Sequence, residues 1–261
     1  MRISAVIIAR DEEAKIGNAI RSVLWADEVL VVDSGSVDGT RAVAADLGAK
    51  VVYQEWLGFG GQKQFAVDSA RNNMILSLDA DEAVSDKLAD EIRSIVQTGD
   101  VLDAYYMPRL AFYLGRPVKH SGWYPDRQLR LFDRTKGEWS RAKVHESVIM
   151  RPDARVGVLK NDLLHYSIDS VSQHAEMIQS RYAPLSAEQM HQDGIRTSIV
   201  KIGILPIWTF FHTYVLRLGV LDGLAGLAIS GFASYNVFLK HLLLYELGIS
   251  GSTTKSGSET S

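Results

Sequence analysis

The chain has 261 residues, with 28 Lys and Arg against 31 Asp and Glu, and no cysteine. A formal charge of −3 removes the electrostatic case for nucleic-acid binding, and the missing cysteine excludes disulfides, a thiol nucleophile and thiolate metal sites. A hydrophobic share of 46% beside 23% charged residues excludes wholesale disorder and can fill a sizeable core.

Ile3–Ala9 is an apolar run that meets Arg10, Asp11, Glu12 and Glu13 at once. It is too short for the core of a secretory signal and reads as a buried strand. A helix follows, with Ala19, Ile20, Val23 and Leu24 on one face and acidic residues in its first turn, where the macrodipole favours them. Glu28–Val32 is a second strand ended by Asp33, and a helix over 38–47 leads to a third strand at Lys50–Tyr53. A helix near 62–71 leads to a fourth strand, Met74–Leu78, ended by Asp79. This alternation predicts an α/β fold with a mostly parallel sheet covered by helices on both faces.

Ser85 opens one more amphipathic helix, with Leu88, Ile92, Ile95 and Val96 on its buried side. From Asp103 to Tyr166 short apolar runs broken by Gly and Pro predict short strands and loops. Helices are expected over 171–191, 199–218 and 220–247. The expected division is an α/β domain at 1–168, a helical region at 169–247 and a Gly/Ser/Thr-rich disordered tail at 248–261.

Ligands of open α/β sheets bind at the carboxyl ends of the strands. Three such ends carry polar groups: Arg10-Asp11-Glu12, Asp33-Ser34-Gly35-Ser36 and Asp79-Ala80-Asp81-Glu82. Any one of them serves equally well as a helix cap. The turn after the first strand lacks G-x-G-x-x-G, which disfavours a dinucleotide site. In extended chain the carboxylates of Asp79 and Asp81 would project to one side. Such a pair needs an offsetting cation, which Mg²⁺ or Mn²⁺ bearing phosphate oxygens would supply. D-x-D by itself is a frequent pattern.

Together, ISAVIIARDEE (3–13), VVDSGSVDGT (31–40) and LSLDADE (76–82) resemble the successive motifs of family 2 glycosyltransferases. The likeness is greatest to the small bacterial branch that includes lipopolysaccharide-core glucosyltransferases. It extends through GQKQF (61–65), GWYPDRQLRLF (122–132), VHE (144–146), His165-Tyr166 and GVLDGLAG (219–226). Asp11 and Gln64 stand where the family has Asn.

The resemblance implies a GT-A, Rossmann-like fold with a C-terminal helical region. The implied reaction is an inverting, Mg²⁺- or Mn²⁺-dependent hexosyl transfer from a nucleotide sugar, with uridine the expected base, to a lipid-linked glycan such as lipopolysaccharide core. It further implies that Ala9, Arg10, Glu12 and Asp33 hold base and ribose, with Ser34, Gly35 and Ser36 as a tight turn and Asp38 as a helix cap. Lys63 would approach the phosphates, Asp79 the ribose or metal, and Asp81 and His165 the metal. Glu146, beside His145, would be the base, with Asp126 the alternative and Arg130 assisting the departing diphosphate. Trp123 and Tyr124 would stack on the acceptor sugar, although such aromatics equally suit a small core, and His165 equally suits a structural role. The competing readings are a polyprenyl-phosphate sugar transferase and a non-catalytic nucleotide-sugar-binding membrane scaffold.

Charge thins towards the C-terminus. Ile202–Leu216 and Gly223–Leu239 carry no charged residue, yet both fall short of the ~20 residues of a spanning helix. The expectation is a membrane-seated or self-associating hairpin with Trp208, Phe210, Phe211 and Tyr214 at the interface, on the cytoplasmic face of the cell membrane; a buried helical pair is the alternative.

Overall fold

A computed structural model describes residues 1–140 and 146–256, with side chains through Ile249. The chain forms two compact units, Met1–Leu110 with Pro125–Tyr166, and Ala111–Tyr124 with the residues from Ser167 onward.

The first unit opens with β1 (Ile3–Ala9), α1 (Glu13–Arg21), β2 (Glu28–Asp33), α2 (Thr40–Asp46), β3 (Lys50–Tyr53), α3 (Phe59–Ser69) and β4 (Met74–Asp79). These strands lie in the order β3-β2-β1-β4, all parallel, as the alternating pattern predicts. All seven residues of β1 are buried. Ala5 and Ile7 share a core with Ile16 and Ile20 of α1, whereas Val6 and Ile8 pack with Ala66 and Val67 of α3. Burial on both faces is why β1 reads as an uninterrupted apolar run.

The chain continues through β5 (Glu82–Val84), α4 (Asp86–Thr98), β6 (Ala104–Tyr113), β7 (Arg116–Pro117), β8 (Asp126–Asp133), β9 (Gly137–Trp139), β10 (Val148–Met150), β11 (Val156–Val158) and β12 (Leu163–Ile168). Ser85 caps α4 as expected, its hydroxyl accepting from the Leu88 N–H. The sheet extends from β4 in the order β8-β6-β12-β5, and the β4–β8, β8–β6 and β12–β5 pairings are antiparallel. β9 and β10 form a separate antiparallel ribbon.

The second unit holds α5 (Val171–Met177), α6 (Ala183–Gln192), α7 (Ile199–Phe211) and α8 (Gly223–Ser256). A π-helical turn, His212–Leu216, prolongs α7. α8 packs against α6 and α7, and Ala225 and Ile229 join Tyr113, Val118 and Ile168 in a small core. The GVLDGLAG run has a structural purpose here. A Cβ on Gly226 would lie 1.8 Å from the Gly219 carbonyl oxygen, so the chain closes on itself only without that atom. Asp222 accepts from the backbone N–H groups of Lys119 (3.2 Å) and His120 (3.0 Å), and its carboxylate lies 2.8 Å from His120 Nδ1.

The helical region runs further than its composition predicts: α8 continues past Gly248 to Ser256. Once nucleated, a helix gains one hydrogen bond for each residue added, which offsets weak local propensity. The rest of the expected tail, 257–261, lies outside the described residues.

Gly226→Ala should lower stability by about 1–3 kcal/mol through forced overpacking. Gly231→Ala, whose Cβ meets nothing within 4 Å, should instead gain up to about 1 kcal/mol as a helix-interior replacement. Urea unfolding of the two variants checks the contrast.

Candidate active site

The loops after β1 and β2 are stapled by reciprocal hydrogen bonds. Asp11 donates its N–H to Ser36 Oγ (3.0 Å), Glu12 to Thr40 Oγ1 (2.8 Å) and Glu13 to the Asp38 carboxylate (3.1 Å). In return the N–H groups of Val37 (2.8 Å) and Gly39 (3.0 Å) bond the carboxylates of Asp11 and Glu13. Asp38 also accepts from the N–H of Thr40, the first residue of α2, so it serves the start of both helices. The Thr40 hydroxyl leads the donors that hold the Asp38 carboxyl below its ordinary value. Asp11 sits at φ 53°, a region that the short polar side chains of Asp and Asn both tolerate.

Asp33, assigned by the resemblance to base and ribose, is fully buried. Its carboxylate accepts from the N–H groups of Gly35 (3.0 Å) and Ser36 (3.1 Å) and from the Ser36 hydroxyl. Its contribution is the shape of the turn, which Gly35 completes at φ +92°. Ser34 accepts from the buried amide of Gln62 (3.0 Å). Ala9 is buried at the end of β1, its carbonyl accepting from the Ser34 N–H, and Arg10 is exposed.

β4 ends at Asp79, and Ala80 and Asp81 form a turn before β5. Glu82 pairs with His165 across the β5–β12 ladder, which imposes the turn. Asp79 and Asp81 are therefore not in extended chain, and their carboxylates meet different partners. Asp79 lies 2.9 Å from Lys63 Nζ and 2.7 Å from Arg130 Nη2, whereas Asp81 lies 3.2 Å from His165 Nε2. Arg130 also donates to Glu82 at 2.7 Å, and Glu82 accepts from the Asp79 N–H (3.1 Å) and from Arg109 (3.1 Å). Arg109 in turn forks onto Asp126, at 2.9 Å from Nε and 2.5 Å from Nη2. Glu146 lies 3.4 Å from Lys63 Nζ.

The network is recessed. Glu82 is fully buried, and the side chains of Arg130 and Lys63 are 3% and 4% exposed. The Trp139 ring lies 4.8 Å from Lys63 Nζ and 5.6 Å from the Arg130 guanidinium, close enough for cation–π attraction. Gly60 makes the approach possible, since a Cβ there would lie 2.2 Å from the Ser140 carbonyl oxygen. Burial alone would raise the Asp79 carboxyl, but attraction to Arg130 and Lys63 outweighs it and holds the group well below the usual carboxylate range. Burial likewise opposes the charge on Arg130 and is outweighed by Glu82 and Asp79, which raises its pKa.

Arg109 is the functional candidate that the sequence reading missed. Its one local signal is a lone charge within the otherwise apolar AYYMPRLAFY of β6. Trp123 packs on the core of the second unit, edge-on to Tyr113 at 6.3 Å, and Tyr124 is half-buried in that unit. His145 lies outside the described residues. Among the described residues no three His, Cys, Asp or Glu side chains converge as a metal cage.

A mixed sheet that gathers carboxylates and buried cations beside the carboxyl end of β4 suits an enzyme handling a charged donor. Residues 4–154 match the family described as glycosyl transferase family 2. The chain belongs to that family, and it is a glycosyltransferase. An uncharacterized glycosyltransferase of Rickettsia bellii is 34% identical over 260 residues, covering 95% of this chain and 87% of its own. The lipopolysaccharide core biosynthesis glycosyltransferase LpsC of Rhizobium meliloti is 30% identical over 236 residues, covering 88% and 85%. Among solved structures, TarS 1–349 of S. aureus in complex with UDP-GlcNAc aligns over 96% of this chain and 92% of that chain, at 14% identity and a TM-score of 0.49.

Arg130→Met leaves Glu82 and Asp79 short of their shared cation and should cost about 3–5 kcal/mol, measured by urea unfolding at pH 7. The pH dependence follows from the depressed Asp79 pKa. Its stabilisation is complete above the unfolded value, about 3.9, and is lost as pH falls through the lower folded value. Without Arg130 the folded value rises, so acid unfolding of the variant should begin at higher pH.

Proposed function

We propose that the chain is an inverting, metal-dependent glycosyltransferase that moves a hexose from a nucleoside diphosphate sugar, uridine being the expected base, to a lipid-linked glycan of the lipopolysaccharide-core type. The observation that carries this reading is the Lys63–Asp79–Arg130–Glu82 network with Glu146 and Asp126 attached to it. The likeness to LpsC across most of both chains supports the acceptor class.

Lys63 and Arg130 are held in position before any substrate arrives. They need little reorganisation as negative charge develops on the departing diphosphate. Glu146 takes the proton of the acceptor hydroxyl while that oxygen forms its bond to the anomeric carbon. The bond from that carbon to the diphosphate oxygen breaks on the opposite face, which inverts the configuration. Asp126, fixed by the Arg109 fork, orients the acceptor hydroxyls. The stapled loops after β1 and β2 shape the seat for base and ribose.

Five carboxylates (Asp79, Asp81, Glu82, Asp126 and Glu146) stand against three cations (Lys63, Arg109 and Arg130) in this cluster and its adjoining turn. A diphosphate brought there meets excess negative charge, which favours a divalent cation. Asp81 and His165, whose side chains meet at 3.2 Å, would hold it through a carboxylate oxygen and an imidazole nitrogen. Asp79, already bonded to two cations, is the poorer ligand. When bound, the metal supplies positive charge to the diphosphate oxygens.

The test is transfer from a panel of nucleotide sugars to defined core oligosaccharides, with and without Mn²⁺. Glu146→Gln should lower turnover by about 10²–10⁴ while donor binding persists, and Asp81→Asn should raise the Mn²⁺ concentration needed. Full turnover by Glu146→Gln with loss in Asp126→Asn would move the base to Asp126. No transfer or hydrolysis from any nucleotide sugar would sink the reading.

A further inference from the structure

We infer that the exposed face of α7 is a docking surface for anionic lipid, on which the helix lies in the plane of the membrane interface. Val200, Ile204, Ile207, Trp208, Phe211 and Val215 recur at helical spacing along one stripe, and all six are exposed, Ile207 at 72%. Only 6% of Ile199–Leu216 is buried, against a mean hydropathy of 1.5. The segment therefore does not behave as the core helix of a globular unit. Such a stripe loses favourable free energy in water and regains it wherever apolar matter covers it.

The charge around the stripe selects what covers it. Between Gly194 and Leu221 the chain carries Arg196, Lys201 and Arg217 and no acidic residue, although the whole chain has a net charge of −3. All three are exposed, and Lys201 and Arg217 bracket the uncharged run 202–216. Two copies meeting through this face would bring three cations against three cations. Anionic headgroups complement them, while the aliphatic stems of Lys201 and Arg217 let their charged ends reach the phosphates above a stripe seated at the acyl boundary. Trp208 suits that level, being apolar in body and polar at its N–H. Its 18 residues stand at the short end of the length that can cross, and Pro206, Thr209, His212 and Thr213 interrupt the apolar run. Lying in the interface is the fit.

The surface belongs to the second unit alone, so its test does not depend on the donor assignment. Full-length protein should float with phosphatidylcholine vesicles containing about 30% phosphatidylglycerol, bind pure phosphatidylcholine far less, and be released by alkaline carbonate. Ile207→Glu/Phe211→Glu should cut the floated fraction about tenfold, and Lys201→Glu/Arg217→Glu should remove the preference for phosphatidylglycerol. Both variants change exposed side chains and should melt with the wild type. Flotation of Ile207→Glu/Phe211→Glu at the wild-type level would overturn the proposal, as would retention after carbonate. So would a wild-type dimer, seen by light scattering, that the same variant dissociates while neither protein binds vesicles.

Discussion

The guanidinium of Arg130, enclosed by Asp79 and Glu82, fixes the first unit. Each of these charges loses water at a cost of several kcal/mol, and only close, well-aligned pairing returns it. The partners come from β4, β5 and β8, with Lys63 of α3 and Arg109 of β6 attached at either end. A shift in any of these elements would strand a buried charge. The β4–β8 register, with Leu76 opposite Leu131, is thus held by electrostatics as well as by backbone hydrogen bonds. Among the described residues the pairing is still incomplete, since Arg130 Nε and Trp139 Nε1 are buried without partners. Each such atom costs about 1–3 kcal/mol, and sites that handle ligands commonly tolerate that cost.

The parallel half of the sheet was legible because its signals are local. Apolar runs of strand length, amphipathic helices between them and polar groups at the strand ends can all be read within a few residues. Asp79 and Asp81 were read in that way, and the family likeness drew in Lys63, Arg130, Glu146 and His165. Arg109 was not, because its partners stand 27 and 17 residues away and its own neighbourhood announces only a strand. The turn at Ala80–Asp81 was missed for the same reason: it follows from Glu82 pairing with His165 on β12, far along the chain. Asp33 shows the converse. Its position was legible, but its carboxylate closes its own turn, which nothing in the local pattern distinguishes from a ligand contact.

The second unit is built on other terms. Its centre is small, and much of the unit depends on tight backbone contact at Gly219 and Gly226 and on the single carboxylate of Asp222. A hydrophobic share of 46% therefore describes two different uses of apolar residues: those of the first unit fill a core on both faces of a sheet, whereas many in α7 face outward. Averaging over the chain hides the distinction.

The stapling of the loops after β1 and β2 couples their positions. Glu13 and Asp38 each serve a helix start or loop that is not their own, and a Cβ on Gly39 would lie 2.5 Å from the Glu13 carboxylate. A displacement of one loop therefore breaks hydrogen bonds that the other loop receives. The seat at these two strand ends is thus one surface with a common set of fastenings, so a ligand that orders either loop also orders its neighbour.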